Sequence, residues 1–178
     1  MSGIAGLPAW DPESGMLNVV IETPKGSRNK YDFDPEVSAY RLKAVLPEGL
    51  SFPFDFGFIP STLGEDGDPV DVLVLLDAPV MVGCLLSARL IGVIEADQRE
   101  RDGAWTANHR LIAVATHART HEHVHSLADV RPGLIDEIEA FFAQYNQLAG
   151  KEFKPKAQGG PERARALVDE GIAAVSRS

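Results

Sequence analysis

Short apolar runs broken by turn residues fill the chain from Met16 to about Val114, and a helical repeat replaces them in the last third. Segment 16–22, MLNVVIE, alternates and then meets Pro24 and Gly26, which predicts a strand and a turn. Segments 30–34 (KYDFD) and 38–46 (SAYRLKAVL) flank Pro35 as two more strands. Segments 70–76, 85–96 and 109–116 are rich in Val, Ile and Leu and extend the series. Gly92 inside the fifth run predicts a bend or bulge, of the kind a small barrel needs at its corners. Beyond them, Leu134, Ile135, Ile138, Phe141, Phe142, Tyr145 and Leu148 recur at helical spacing, and Gly150 supplies a stop. A second helix begins at Pro161, a good first-turn residue. With no repeat and no long linker, residues 1–178 read as one α+β domain: a closed or nearly closed small β-barrel with two main helices packed on it.

Composition narrows the partners. The 178 residues suffice for one core that buries roughly 70% of the unfolded surface, and 44% of them are apolar. A net charge of −9 excludes a polyanion such as nucleic acid, which needs a basic face. It does not exclude a small anionic substrate, because divalent cations can invert the local field. The single cysteine, Cys84, sits in an apolar run and reads as a buried structural thiol. That run is interrupted by Gly83, Ser87 and Arg89, so no ordinary membrane span is expected. The N-terminus has neither a basic segment nor a long apolar stretch, and a cytoplasmic protein without membrane contact is the expectation.

One stretch resists a purely structural reading. EDGDPVDVLVLL, residues 65–76, crowds Asp66, Asp68 and Asp71 at the mouth of a strand. Two close carboxylates near a protein surface repel by roughly 4 kcal/mol, so a positive partner is implied. A calcium EF-hand loop would need acids at positions one, three and five and Gly at six, and Pro69, Val70 and Asp71 break that pattern. Acid pairs that terminate a buried parallel strand follow their apolar run, whereas here it comes after them. A solvated acidic turn is the plain alternative. Against it, Asp71 opens the strand, and Asp66 and Asp68 lie two apart on one side of an extended turn.

DGDPVDVLVL resembles the signature of the family I soluble inorganic pyrophosphatases, Asp-x-Asp-Pro-apolar-Asp followed by an apolar strand. The resemblance extends through VVIETPKGSRNKYDFD, FPFDFGFIPSTLGEDGDPVDVLVLL, IGVIEAD and IEAFFAQYNQLAGKEF, nearly the whole chain. It implies a five-stranded OB-like barrel with two main helices. It also implies Mg²⁺-dependent hydrolysis of inorganic diphosphate by a metal-activated water, with Mn²⁺ as a substitute ion. By position, Asp66, Asp68, Asp71 and Asp97 correspond to the metal-binding set, and Asp68 also to the residue that holds or deprotonates the nucleophilic water. Glu22 corresponds to the acid that orients waters, and Lys30, Arg110 and Tyr145 to the groups that hold phosphoryl oxygens. A homo-oligomer, a hexamer in many bacterial members, is the implied assembly.

The chain departs from the family pattern at several of these places. The phosphate-binding Arg falls at Ala44, with Arg41 and Lys43 nearby as displaced substitutes, and the site Tyr near the signature is Phe56. The acid after Lys-Tyr is the shorter Asp32. A metal-binding Asp becomes Asn108 and the Lys that follows becomes Arg110, while the longer loop QRERDGAWTAN offers Asp102 as a replacement ligand. The Lys after the helix Tyr is Asn146. Three functions stay open: a diphosphatase with a weakened phosphate grip, a phosphohydrolase for a larger phosphoanhydride, and a non-catalytic metal- or phosphate-binding relative. Separately, HARTHEHVH places His121, His123 and His125 at alternate positions. An extended chain would point all three one way, as a Zn²⁺ site requires; a polar loop after the last strand is the plainer expectation.

Overall fold

In the computed structural model, which describes residues 3–177, strands β1 (Leu17–Thr23), β2 (Asn29–Asp34), β3 (Ala39–Val45), β4 (Asp55–Phe58) and β5 (Asp71–Leu75) come first. They are followed by β6 (Leu85–Glu100), β7 (Thr106–Ala107), β8 (Arg110–Ala115), helix α1 (Leu134–Leu148), β9 (Lys151–Gly159) and helix α2 (Pro161–Val175). Strand β1 pairs with β4, β4 with β5, β5 with β8 and β8 with β6, and β6 returns to β1. That closes a ring of five strands, the OB-like arrangement expected, with the two helices outside it. Among the described residues only the β5–β8 contact is parallel. Strands β2 and β3 form a separate hairpin that stands off the ring, and all but one residue of β3 is exposed.

Strand β6 carries the closure. It is 16 residues long; its first half pairs with β1 and β8, its second with β9 and β7. A strand that serves two partner sets must turn, and it does so at Gly92, where the register with β8 shifts between Leu90 and Gly92. A Cβ at Gly92 would lie 2.4 Å from Leu127 Cγ and 2.7 Å from the Gly159 carbonyl oxygen, so the bend is also a point of close approach.

Every residue of β1 and β8 is buried, as are four of the five in β5. Their outer faces are covered as well as the barrel interior, which is why the apolar runs are nearly continuous. Helix α1 buries Leu134, Ile135, Ile138, Phe141 and Phe142, as its periodicity predicts, but Leu148 is exposed and Asn146 is buried in its stead. Pro161 opens α2 as expected.

Three elements differ from the sequence-based expectation. Strand β4 was hidden in the aromatic segment FPFDFGF; Gly57 there lets β4 press on β1, since a Cβ would sit 2.0 Å from the Val20 carbonyl oxygen. Strand β9 is lysine-rich and contains Pro155, which argues against a central strand. It is tolerated because it falls where the β6–β9 register shifts, between Glu95 and Ala96. Cys84 is half-buried just ahead of β6, at the surface of the core and not within it. Among the described residues no helix is long and apolar enough to cross a membrane.

Gly92→Ala should lower stability by about 1–3 kcal/mol through overpacking. Thermal unfolding should show the midpoint fall by several degrees; an unchanged midpoint would mean that Leu127 and Gly159 yield without cost.

Candidate active site

The acidic turn is built by short-range hydrogen bonds. The Gly64 N–H donates to the Asp68 carbonyl oxygen at 2.7 Å, and the Asp68 N–H to Asp66 Oδ1 at 3.2 Å. Gly67 adopts φ 89°, the left-handed conformation that a side chain would strain. The stem is locked by Thr62, whose Oγ1 donates to the Ile59 carbonyl oxygen at 2.6 Å and accepts the Val70 N–H at 3.0 Å. Helix α2 holds the same stem, the Leu63 N–H donating to the Gly171 carbonyl oxygen at 3.1 Å. Asp71 then begins β5, half-buried, while Asp66 and Asp68 point from the turn.

Three adjacent strands bring further groups to that end of the ring. The parallel register pairs Val72 with Leu111, so Arg110 on β8 lies beside Asp71 on β5. Its Nη1 donates to Asp71 Oδ2 at 2.6 Å. Arg110 also pairs in register with Ile94 on β6, and farther along that strand Gln98 turns its Oε1 to Asn108 and Arg110, so its neighbour Asp97, expected among the metal ligands, points to the opposite face, away from Asp71. There Lys156 Nζ on β9 lies 2.9 Å from Asp97 Oδ2. Lys156 was invisible to sequence reasoning because β9 was not recognised as a strand; the alternation of Lys154 and Lys156 around Pro155 was the available signal.

From the other side, the β2–β3 hairpin presents Lys30, whose ammonium pairs with Asp32, itself 3.1 Å from Lys43 Nζ. Burial alone would lower the Lys30 pKa, but Asp32 outweighs it and the net shift is upward. Asp32 is likewise opposed by burial, then drawn below its ordinary value by Lys30 and Lys43. Glu22, 8% exposed at the end of β1, accepts the Phe33 N–H at 2.7 Å. Burial pushes its carboxyl up to about 8 against the pull of that hydrogen bond and of Lys30, so it carries a proton at neutral pH. Burial likewise raises Asp71 to about 6 despite Arg110 and Lys30, and raises Asp66. Tyr145, on α1, stacks with Phe141, and burial lifts its phenol against the field of Lys30. Glu22, Lys30, Asp71 and Tyr145 thus share one electrostatic neighbourhood with the turn.

The departures also have definite places. Phe56 is buried with Lys30 Nζ 5.8 Å and Arg110 Cζ 6.0 Å from its ring centre, so the ring lies under both cations. Ala44 is exposed and directly opposite Lys30 in the hairpin. Asn146 faces the core, 2% exposed, its Nδ2 donating to the Phe142 carbonyl oxygen at 2.8 Å. Arg110 is no open cationic arm, being 4% exposed and committed to Asp71. Asp102 is exposed in the turn of the β6–β7 hairpin, beyond the Gln98–Thr106 pair, and the Asn108 side chain bonds to Gln98 and Arg110 instead. Residues 120–123 form a turn and not an extended chain, which removes the geometry a three-histidine site required.

Among the described residues no three His, Cys, Asp or Glu side chains form a ready-made metal cage. The carboxylate oxygens of Asp66, Asp68 and Asp71 nevertheless suit Mg²⁺, which retains several waters and takes only one or two carboxylates per ion. Burial raises Asp66 and Asp71, with a smaller push from the neighbouring acids, and an added cation would oppose both effects.

A family model described as inorganic pyrophosphatase matches residues 19–176. The inorganic pyrophosphatase of Nostoc sp. is 38% identical over 172 residues, 96% of this chain and 98% of that protein. That of Thermus thermophilus is 35% identical over 177 residues, 99% and 98% of the two. The crystal structure of the Thermus thermophilus inorganic pyrophosphatase superposes with a TM-score of 0.88 at 34% identity, covering 98% of this chain and 99% of that one. An inorganic pyrophosphatase from Neisseria gonorrhoeae gives 0.85 at 32%, with 96% of each chain covered.

Glu22 has a pH signature. Its folded pKa of about 8 lies above the ordinary 4.5, so the folded state binds the extra proton and stability falls as pH rises between those values. Glu22→Gln keeps an acceptor for the Phe33 N–H and removes the ionisation. In metal-free buffer it should raise the unfolding midpoint by roughly 3 °C or more at pH 8.5 and leave it nearly unchanged at pH 4.5. An equal shift at both pH values would assign the effect to packing.

Proposed function

The chain belongs to the inorganic pyrophosphatase family, and from that premise we propose that it hydrolyses inorganic diphosphate to two phosphates. The observation that carries this reading is the meeting of the acidic turn with Lys30 and Tyr145 at one end of the ring. Asp66 and Asp71, with Asp68 beside them, would hold the divalent ions; we assign Mg²⁺, with Mn²⁺ as a substitute. Bound there, the ions would shield the diphosphate charge and acidify the attacking water.

The side chains divide the remaining work. Asp68 is exposed, and among the described residues no hydrogen bond or ion pair occupies its carboxylate, so it is available to take the water's proton as general base. Lys30 and the Tyr145 hydroxyl receive phosphoryl oxygens, Lys30 kept charged by Asp32. Glu22, buried at the end of β1 and held by the Phe33 N–H it accepts, would orient a water. Arg110 acts through Asp71, whose position it sets. Assembly as a homo-oligomer and a cytoplasmic location are carried over from the family.

A larger phosphoanhydride is the second reading. Asn146 is buried, so the loss of a lysine there opens no room. Room exists instead in a cavity of about 350 Å³ between the acidic turn and α2, with Leu63, Val70, Leu111 and Leu167 as its apolar wall and Asp66 and Asp71 at its edge. Phosphate release from diphosphate, compared with a panel of nucleoside and sugar diphosphates at fixed free Mg²⁺, separates the two; no release from any of them would leave a non-catalytic relative.

Asp68→Asn preserves shape and removes the base. It should lower the rate of phosphate release by at least roughly 100-fold with unchanged thermal stability; a rate within a few-fold of the parent would place the base elsewhere.

Restoring cations should succeed at one position and fail at the other. Ala44→Arg adds an exposed guanidinium beside Lys30 on the same face of the hairpin. A charged hydrogen bond of about 1.5 kcal/mol is worth roughly tenfold in kcat/KM for diphosphate. Asn146→Lys instead forces an ammonium into the core and breaks the bond to Phe142, so its unfolding midpoint should drop. Steady-state kinetics and melting of both variants test the pair; a faster, equally stable Asn146→Lys enzyme would contradict the buried placement.

A further inference from the structure

The β2–β3 hairpin that carries Lys30 is not joined to the ring by a backbone ladder; among the described residues the two sheets share no paired strands. Side chains of β1 make the connection instead. Thr23 is fully buried, and its Oγ1 accepts the Tyr31 N–H at 3.1 Å and donates to the Tyr31 carbonyl oxygen at 3.3 Å. A hydroxyl can do both at once, so this one satisfies the two main-chain groups that a neighbouring strand would otherwise have paired. One residue earlier, Glu22 Oε1 accepts the Phe33 N–H at 2.7 Å. We propose that Thr23 is the positioning residue for Lys30, its hydroxyl fixing the main chain of Tyr31 and through it the place at which the Lys30 ammonium meets a phosphoryl oxygen. The proposal rests on the reading of Lys30 as a phosphoryl-binding group.

Two irregularities of strand register meet at this hydroxyl. Between β1 and β4 the pairing passes from Ile21–Gly57 to Thr23–Phe56, leaving Glu22 as the extra residue. Between β2 and β3 it passes from Lys30–Ala44 to Tyr31–Leu42, leaving Lys43 as the extra residue. Bulges re-aim side chains and bend their strands, so the direction of Lys30 depends on a fixed point between the two. Thr23 supplies that point one residue from Lys30, and its branched Cβ restricts the hydroxyl to few rotamers. Lys30 then reaches over the ring of Phe56, its Nζ 5.8 Å from the centre, and Phe56 is the residue opposite Thr23 in β4. The rest of the hairpin has other anchors. Phe33 stacks on Phe58 with ring centres 6.0 Å apart, and at the base the Gly26 N–H donates to the Phe52 carbonyl oxygen and the Phe52 N–H to that of Ser27. Loss of the hydroxyl therefore loosens the segment around Lys30 and not the hairpin as a whole.

The test is a mutant cycle read by phosphate release from diphosphate at fixed free Mg²⁺. Thr23→Val keeps the shape and removes the hydroxyl; it should lower kcat/KM by about tenfold, the value of one charged hydrogen bond. Thr23→Ser, which keeps the hydroxyl, should stay within about twofold of the parent, and in a Lys30→Ala background Thr23→Val should change kcat/KM by less than about twofold. The full loss persisting in that background, no loss in Thr23→Val alone, or no rescue by serine overturns the proposal and leaves the diphosphatase reading intact. A parental kcat/KM in Lys30→Ala overturns the phosphoryl role of Lys30 and the proposal with it. If no variant and not the parent releases phosphate, the same cycle is read by titration calorimetry with the non-hydrolysable methylenediphosphonate and Mg²⁺. The same pattern in affinity then supports the proposal while the hydrolytic reading falls; a parent that does not bind the analogue overturns both. If Thr23→Val does not fold, Thr23→Ala, which admits a water to Tyr31, takes its place with the same expectations. Failure of both to fold makes Thr23 a structural residue and overturns the proposal.

Discussion

The ion pair of Arg110 and Asp71 joins the one parallel strand contact in the ring to the chemistry at its end. Because β5 and β8 run the same way, the first residues of both strands lie side by side, and a cation at one faces an anion at the other. Breaking a buried pair of this kind typically costs about 3–5 kcal/mol, because the survivor is left charged and desolvated. The turn that carries Asp66 and Asp68 enters β5 at Asp71, so the direction in which those acids point follows from where Arg110 pins the strand. Phe56, Phe142 and Phe153 around the guanidinium tie the same pair to β4, α1 and β9.

The turn has a second anchor at its stem. Gly171 in α2 comes so close that a Cβ there would lie 3.0 Å from Val70 Cγ2 and 3.1 Å from Thr62 Cβ, and its carbonyl accepts the Leu63 N–H. A helix otherwise devoted to packing on β6 therefore also sets the height of the acidic turn. Such double support suits a group of acids that repel one another, since repulsion would otherwise open a turn held only by its own hydrogen bonds.

Positive charge is distributed around these acids in three kinds. Arg110 is immobile and buried. Lys30 is held by Asp32 but faces the site, with Lys43 sharing the same carboxylate. Lys156 is half-exposed and paired with Asp97, on the far face of β6 from Arg110. The cations missing at Ala44 and Asn146 are thus accompanied by Lys43 arriving from β3 beside Lys30 and Asp32.

Much of this was legible in the amino-acid order alone. The periodicity of residues 134–148 and Pro161 marked both helices, the Val/Ile/Leu runs marked β1, β5, β6 and β8, and Gly92 marked the bend in β6. These are local properties: side-chain alternation, helical spacing and backbone conformational freedom act within a few residues. The spacing of Asp66, Asp68 and Asp71 likewise marked a turn of crowded acids, because like charges so close need a counter-charge wherever the chain folds. What the order could not decide was which distant groups supply it. Strand β9 exists only because β6 offers it an edge, so Lys156 became a neighbour of Asp97 through pairing, against the local vote of Pro155. Asn146 turned inward and Arg110 was buried because α1 and β9 closed over the barrel's end, a consequence of packing that no window of sequence contains. Local chemistry determined the acids, and tertiary contact determined which cations are paired with them, Arg110 with Asp71 and Lys156 with Asp97, because those partners are brought close only by strand pairing and packing.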